Sequence, residues 1–452
     1  MPSPRLFAPL LALLAAGPVA AQDAVPPHLT DYVSKDDGAF AWKLAEKTET
    51  PAGTIYTLDL TSQKWHGVVW THKLQVIVPK GITPKPTMLL FNTGGTPGGS
   101  SAAIALALAD RIQSPIAFLY GIPNQPIPEI GGNKKEDALI AETFVRYLET
   151  KDPTWPLLFP MAKSLVKAMD AIQAFAKQEW KFDVTHFVVS GASKRGWTSW
   201  LTAATGDKRV KAIAPMVIDT LNFQKQMPHQ LKSFNGKYSE QIHDYEERGL
   251  LPLPDTTEAK QLWAMVDPWV YRSKLTLPKL LIHGTNDPYW AQDAMNLYWD
   301  DLPGPKWVCY VPNAGHGLRP EDKPNQKGSK MDPFPTQGID ALAAFVRHQV
   351  IDNPMPNLTW EHADGPTGPV LRITSDPPAK AIRGFVATSD TRDFRKSRWE
   401  PVKSHGQPTA KAELTVTPAA GKFTAFLGEA EYEIGGLRHT VSTQIRVLEP
   451  KK

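Results

Sequence analysis

The chain has 452 residues, enough for one large domain and a smaller one, and with 42% apolar and 21% charged residues it is not a disordered polymer. Fifty Lys and Arg against 46 Asp and Glu leave a formal charge of only +4, which gives neither a basic footprint for nucleic acid nor an acidic tail, so the partner expected is small or neutral. A single cysteine, Cys309, excludes an internal disulfide framework and a cysteine-built metal or iron–sulfur site.

The first element in chain order reads as an address label. Arg5 supplies a short positive region, Leu6 to Ala16 is almost wholly apolar, and Val19-Ala20-Ala21 places small residues where a signal peptidase cuts, before Gln22. Pro9, Gly17 and Pro18 interrupt the run, whereas a membrane span needs about 18 or more apolar residues in succession. Residues 1–21 are therefore expected to be a signal peptide, and the mature protein periplasmic or secreted with no stable membrane anchor.

Residues 54–80 hold short β-branched runs (TIYTLDL, VVWTHKLQVIVP) that read as two or three strands. TMLLFNTGG is a buried strand entering a glycine-rich loop, followed by an Ala- and Leu-rich helix from Ser101 to Arg111. Further apolar strands follow in SPIAFLYGI, THFVVSGAS, VKAIAPMVI, PKLLIHGTND and KWVCYVPNAGHG. Helical patterns accompany them at about Lys135 to Thr150, Met161 to Trp180, Lys194 to Ala204, Ala291 to Trp299 and Gly338 to Val350. This alternation predicts an α/β domain over residues 22–352 with a mainly parallel sheet. Residues 219–277, too long for one crossover and rich in Gln, His, Tyr, Trp and Pro, read as an inserted cap. After Pro354 and Pro356 only short alternating strands remain, predicting a separate all-β sandwich over 357–452.

The chemistry concentrates at VVSGASKRGW, where Ser193 stands between a buried strand and a helix with glycines at 191 and 196. That is the context of a nucleophile elbow: a turn too tight for a side chain two residues before the serine, with the hydroxyl presented at a helix N-terminus. The pattern departs from G-x-S-x-G because Arg195 holds the second glycine's place and Gly196 comes one residue late. A serine hydroxyl needs a base, and the base a carboxylate to fix its tautomer. Asp287, closing LIHGTNDP, and His316, in the loop VPNAGHG, follow in the order Ser, acid, His of an α/β-hydrolase. Asp219, ending VKAIAPMVID, is the competing acid. His283 reads as a core histidine, and His66, His72, His229 and His243 have no metal-ligand spacing, so no metal or other cofactor is expected. The oxyanion donors expected are the N–H of Lys194 and one from Gly95 or Thr96 in the loop Asn92-Thr93-Gly94-Gly95-Thr96. The Lys194 side chain either adds positive charge there or points to solvent. Trp263, Trp269 and Tyr271 are candidates for an aromatic pocket lining.

The stretch SGASKRGWTSWLTAA, the strand end LIHGTNDPYW and the C-terminal β region resemble the PhoPQ-activated pathogenicity-related proteins over nearly the whole mature chain. The resemblance implies an α/β-hydrolase-type fold onto which Ser193, Asp287 and His316 map as the apparent triad, with no settled substrate. Serine followed by a basic residue, with glycine at the third place, is also similar to glucuronoyl esterases. Exported dipeptidyl peptidases share the catalytic layout, a resemblance that implies Glu246-Glu247 in the cap as an anchor of a substrate amino terminus, but residues 22–86 are too few for their propeller. Hydrolysis of a small-molecule or saccharide ester, or of a peptide, is the expectation; a non-catalytic signalling protein retaining the fold is the rival.

Overall fold

The computed structural model describes residues 25–319, 336–366, 368–405 and 408–450. The expected signal peptide lies outside them. Strands β1 (Ala41–Thr50), β2 (Gly53–Trp65), β3 (Val68–Pro79), β4 (Thr87–Asn92), β5 (Ile116–Leu119), β6 (His186–Ala192), β7 (Val210–Met216), β8 (Lys279–Gly284) and β9 (Lys306–Val311) form one sheet in the order β1-β2-β3-β5-β4-β6-β7-β8-β9. β1, β2, β3 and β5 are antiparallel neighbours; from β5 through β4 to β9 every pairing is parallel. This is the doubly covered, mostly parallel sheet of an α/β-hydrolase. β8, for example, is buried at every position, as a strand with helices on both faces must be. Helices α1 (His28–Ser34), α5 (Leu158–Phe175) and α6 (Lys194–Ala204) cover one face, while α2 (Gly99–Ile112) and α10 (Thr336–Val350) pack together on the other. Short α3 (Pro128–Gly131) and longer α4 (Glu136–Thr150) lie between β5 and α5.

The insertion between β7 and β8 is helical: α7 (Phe223–Ser233), α8 (His243–Glu246) and α9 (Thr257–Val266), with 3-10 turns at Glu240–Ile242 and Pro268–Lys274. Thr256 caps α9, its hydroxyl accepting the Ala259 N–H at 3.1 Å. Asp267 accepts the N–H groups of Asn222 (3.0 Å), Phe223 (2.8 Å) and Trp269 (2.8 Å), so one buried carboxyl ties the entry of the insertion to its exit. Trp197 on α6 donates to the Val266 carbonyl at 2.7 Å and fastens the insertion over the N-terminal half of that helix.

The C-terminal region contains β10 (Asn357–Gly365), β11 (Gly368–Ala379), β12 (Ala381–Ser389), β13 (Glu400–His405), β14 (Thr409–Thr415), β15 (Phe423–Ile434), β16 (Leu437–Ser442) and β17 (Arg446–Leu448). One layer is β10-β11-β14. The other, β16-β15-β12-β13 with β17 beside β15, continues the main sheet, because Ser442 of β16 pairs with Val308 of β9. The Tyr310 N–H also reaches Ser442 Oγ at 2.9 Å. The sandwich expected to be separate is therefore joined edge-on to the hydrolase sheet, and a single apolar cluster runs from Ile282 and Val311 to Leu371, Ile373 and Phe426.

Two local expectations need correction. β1 was not anticipated, since eight of its ten residues are exposed and its pattern lacks a buried face to read. The helix expected over Ala291 to Trp299 is only a 3-10 turn, Ala294–Leu297. Polar side chains there are drawn into ties, Asp293 to His229 in the cap (2.7 Å) and Asn296 to the Ile445 carbonyl (2.8 Å), and the backbone follows those anchors.

Candidate active site

Ser193 caps α6 with φ +58° and ψ −127°, a conformation side-chain-bearing residues rarely hold, and its N–H is fixed by the Met216 carbonyl at 2.8 Å. Such strain persists only where the surroundings impose it. A Cβ at Gly191 would stand 2.4 Å from Asn92 Nδ2, and one at Gly196 would stand 2.5 Å from Ile218 Cγ2, so both glycines are steric necessities. The departure at Arg195 has a structural reason. Its guanidinium makes a bidentate pair with Glu136 (2.6 and 2.7 Å) and Nε donates to the Ile122 carbonyl at 2.5 Å. The residue thus stitches the elbow to the loop after β5 and to α4, and its Nη2 lies over Gly94, where a Cβ would be 2.4 Å away. Burial alone would raise the Glu136 carboxyl, but hydrogen bonds and charge from Arg195 outweigh it and hold the group down at about 2.

His316 Nδ1 lies 2.8 Å from Asp287 Oδ2, and the other Asp287 oxygen accepts the Tyr289 N–H at 2.9 Å. A carboxylate facing Nδ1 accepts its proton and leaves Nε2 with a free lone pair, the tautomer a general base requires. The Tyr289 ring lies against the imidazole, centroids 4.3 Å apart. Asp219 makes no bond to His316; it is buried, and desolvation pushes its carboxyl up to about 7. His283, also buried, is pushed down to about 4 by the same cause and sits beside Tyr310 in the core.

Ser193 and His316 border one cavity of about 40 Å³ under the cap. Its wall is largely apolar, with Trp197 from α6 and Phe223, Met227, Leu251 and Trp263 from the cap. Lys194 enters it too. Its ammonium is neither exposed nor free, being paired with Asp137 at 2.8 Å and Glu136 at 3.3 Å, and the Tyr245 hydroxyl from the cap donates to Asp137 at 3.1 Å.

Several expected residues lie elsewhere. Gly95 and Thr96 line a different, polar groove with His72 and Tyr120; Arg195 packed over Gly94 stands between that loop and the elbow. Trp269 is partly buried against Tyr298 and stacks under Arg272 at 4.5 Å, while Tyr271 is fully buried with its hydroxyl on the Met265 carbonyl at 2.9 Å. Both pin the end of the cap, and of the three aromatics only Trp263 meets the cavity. Glu246 and Glu247 line a surface groove with Tyr238 and Glu240. Asp137 and Tyr245, in contrast, were missed: each arrives through tertiary packing of a helix, and neither carries a local motif. Among the described residues no cluster of His, Cys, Asp and Glu is arranged to hold a metal ion, and no helix is long and apolar enough to cross a membrane.

Comparison with known proteins gives three results. The profile of the family described as PhoPQ-activated pathogenicity-related protein matches residues 29–395. The chain is 31% identical to "Autocrine proliferation repressor protein A" of Dictyostelium discoideum over 94% of this chain and 89% of that protein. Among solved structures it is similar to acetyl xylan esterase 1 from Thermoanaerobacterium sp. JW/SL YS485, at 15% identity over 64% of this chain and 87% of that one with a TM-score of 0.46. It is also similar to a glucuronoyl esterase from Solibacter usitatus, at 13% identity over 65% and 83% with a TM-score of 0.39. By the family profile, matched over most of its length, and by its relationship to the Dictyostelium protein, the chain belongs to the PhoPQ-activated pathogenicity-related protein family.

Proposed function

We propose that the protein is an exported serine hydrolase that cleaves an ester of a small, neutral acyl group through an acyl-enzyme on Ser193. The observation that carries this reading is the 2.8 Å pairing of His316 Nδ1 with Asp287 in the cavity that Ser193 borders. His316 Nε2 takes the proton of Ser193 Oγ as the oxygen attacks the acyl carbon; the Lys194 N–H at the start of α6 supports the oxyanion. His316 then returns the proton to the departing alcohol, and water repeats the cycle to free the acid.

Cavity chemistry supports the choice of acyl group. The cavity is narrow, about 40 Å³, and its wall is largely apolar. Lys194 is neutralised by Asp137, so no free cation awaits a uronate, and Asp137 is occupied, so no free carboxylate awaits an α-amine. The acyl group stays in the apolar depth beside Trp197 and Trp263. The leaving alcohol, saccharide or otherwise, departs past His316, whose side chain is 27% exposed. Peptide hydrolysis is the less favoured reading because Glu246 and Glu247 face another groove. A signalling role without turnover has one observation in its favour, the name of the Dictyostelium relative, which speaks of repressing proliferation. A panel of 4-nitrophenyl acetate, butyrate and octanoate, a methyl glucuronate ester and an aminoacyl anilide tests the proposal. Turnover should be fastest with acetate or butyrate; preference for the uronate or anilide would refute the acyl assignment.

A further inference from the structure

We infer that the C-terminal β domain is a working part of the active site, its turn Phe394 to Trp399 holding the acid and histidine loops in register through Asn286 and Asn313. The inference rests on the reading of Asp287 and His316 as acid and base. The turn lies between β12 and β13, on the opposite side of the linker from the hydrolase domain. Its backbone nevertheless meets both loops. Asn313 Nδ2 donates to the Trp399 carbonyl at 2.9 Å while the Trp399 N–H donates to Asn313 Oδ1 at 2.7 Å, a two-way clamp made by one side chain. Asn286, the residue before the acid, donates through Nδ2 to the Ser397 carbonyl at 2.7 Å and the Arg395 carbonyl at 3.2 Å.

The two loops are also tied to each other. Thr285 Oγ1 accepts the Asn313 N–H at 2.8 Å and donates to Asn286 Oδ1 at 2.8 Å, and the Asn286 N–H reaches the Ala314 carbonyl at 2.9 Å. Asn313 itself has φ +58°, a left-handed conformation that Asn tolerates and most residues do not. The same turn reaches the cap as well, where Arg395 stacks over Phe234 at 3.9 Å and pairs with Glu240 at 2.9 Å. Acid loop, histidine loop and cap thus share one external anchor. A base and its carboxylate work only within a few tenths of an ångström of their proper geometry, and misplacement by about 1 Å can cost about 10²-fold in rate. Asn286 and Asn313 are positioning residues: they touch neither substrate nor the reacting atoms.

The test uses the full chain. Asn313→Gly keeps the left-handed backbone and deletes the clamp; Asn286→Ala deletes the second tie. Asn296→Ala is the control, removing two bonds to the β domain, at the Ile445 carbonyl and the Gln444 side chain, that touch neither loop. The inference expects Asn313→Gly and Asn286→Ala each to lower kcat for ester hydrolysis by about 10- to 100-fold with KM nearly unchanged, and the control to leave kcat alone at a similar loss of melting temperature. Hydrogen exchange, read independently of turnover, should quicken over residues 284–289 and 312–318 in the two loop variants and not in the control. Wild-type kcat and exchange in Asn313→Gly, or equal losses in the control, would overturn it. A wild-type protein that turns over nothing, with exchange altered as expected, would instead count against the hydrolase reading and leave the clamp standing.

Discussion

Replacing the two rival carboxylates one at a time separates a catalytic acid from a buried bystander. In Asp287→Asn the Tyr289 N–H, 2.9 Å from Oδ1, keeps the amide oxygen on its side and turns the amide nitrogen toward His316 Nδ1. An N–H₂ group there donates, so Nδ1 must accept and the ring proton moves to Nε2, the atom that has to receive the serine's proton. The expected cost is on the order of 10⁴ in kcat, about 5.5 kcal/mol, with little change in KM. Asp219→Asn is different. Burial raises the Asp219 carboxyl to about 7, so near neutrality the amide replaces a group that is only partly ionised, and no bond to His316 is lost. The barrier should change by less than about 1 kcal/mol, about fivefold in rate. Steady-state hydrolysis of 4-nitrophenyl acetate at pH 7.5 by both variants decides the matter. If Asp219→Asn proves the more damaging, or Asp287→Asn keeps wild-type turnover, the assignment of the acid is refuted.

Other consequences follow from the same geometry. Gly191→Ala drives a Cβ to 2.4 Å from Asn92 Nδ2, which bonds the Ser190 and Arg195 carbonyls and Ser199 Oγ; overpacking with the loss of one or two of these bonds should cost about 3 kcal/mol by urea unfolding. Unaltered stability would show that the elbow is looser than described. Arg195→Met removes the bidentate pair, and since Glu136 is 40% exposed and can rehydrate, the loss should be about 1–2 kcal/mol, below that of a fully buried pair. For Asp219 the folded value of about 7 lies above the ordinary 3.8, so the native state keeps a proton the unfolded chain has lost. Its contribution therefore falls as pH rises from about 4 to 7, and Asp219→Asn should raise the melting temperature relative to wild type at pH 8 and not at pH 4. An equal difference at both pH values would contradict this.

The parts of the site carried by local sequence are legible in it. Ser193 announces itself because strand, Gly-x-Ser and helix are contiguous, and Asp287 and His316 because each lies in the loop just after a strand of recognisable apolar pattern. Arg195 looked like a defect in the motif since its purpose depends on Glu136 and Gly94, 59 residues away in one case, which no spacing rule connects. The cavity wall was half legible for the same reason. Trp263 was identified, but Phe223, Met227 and Tyr245 reach the cavity by the way α7 and α8 pack, while Trp269 and Tyr271, equally aromatic, serve to pin the cap. The continuity of the β domain with the main sheet turns on the pairing of Ser442 with Val308, and one rung of a ladder leaves no trace in hydrophobic periodicity.

The central claim is that Ser193 is a nucleophile made reactive by His316 and Asp287, and active-site labelling tests it most directly. A fluorophosphonate probe incubated with the folded wild-type chain, followed by intact mass and peptide mapping, should give one adduct on Ser193, with labelling abolished in Ser193→Ala and strongly slowed in Asp287→Asn. A folded protein that takes up no probe, or carries it on another residue, would contradict the account.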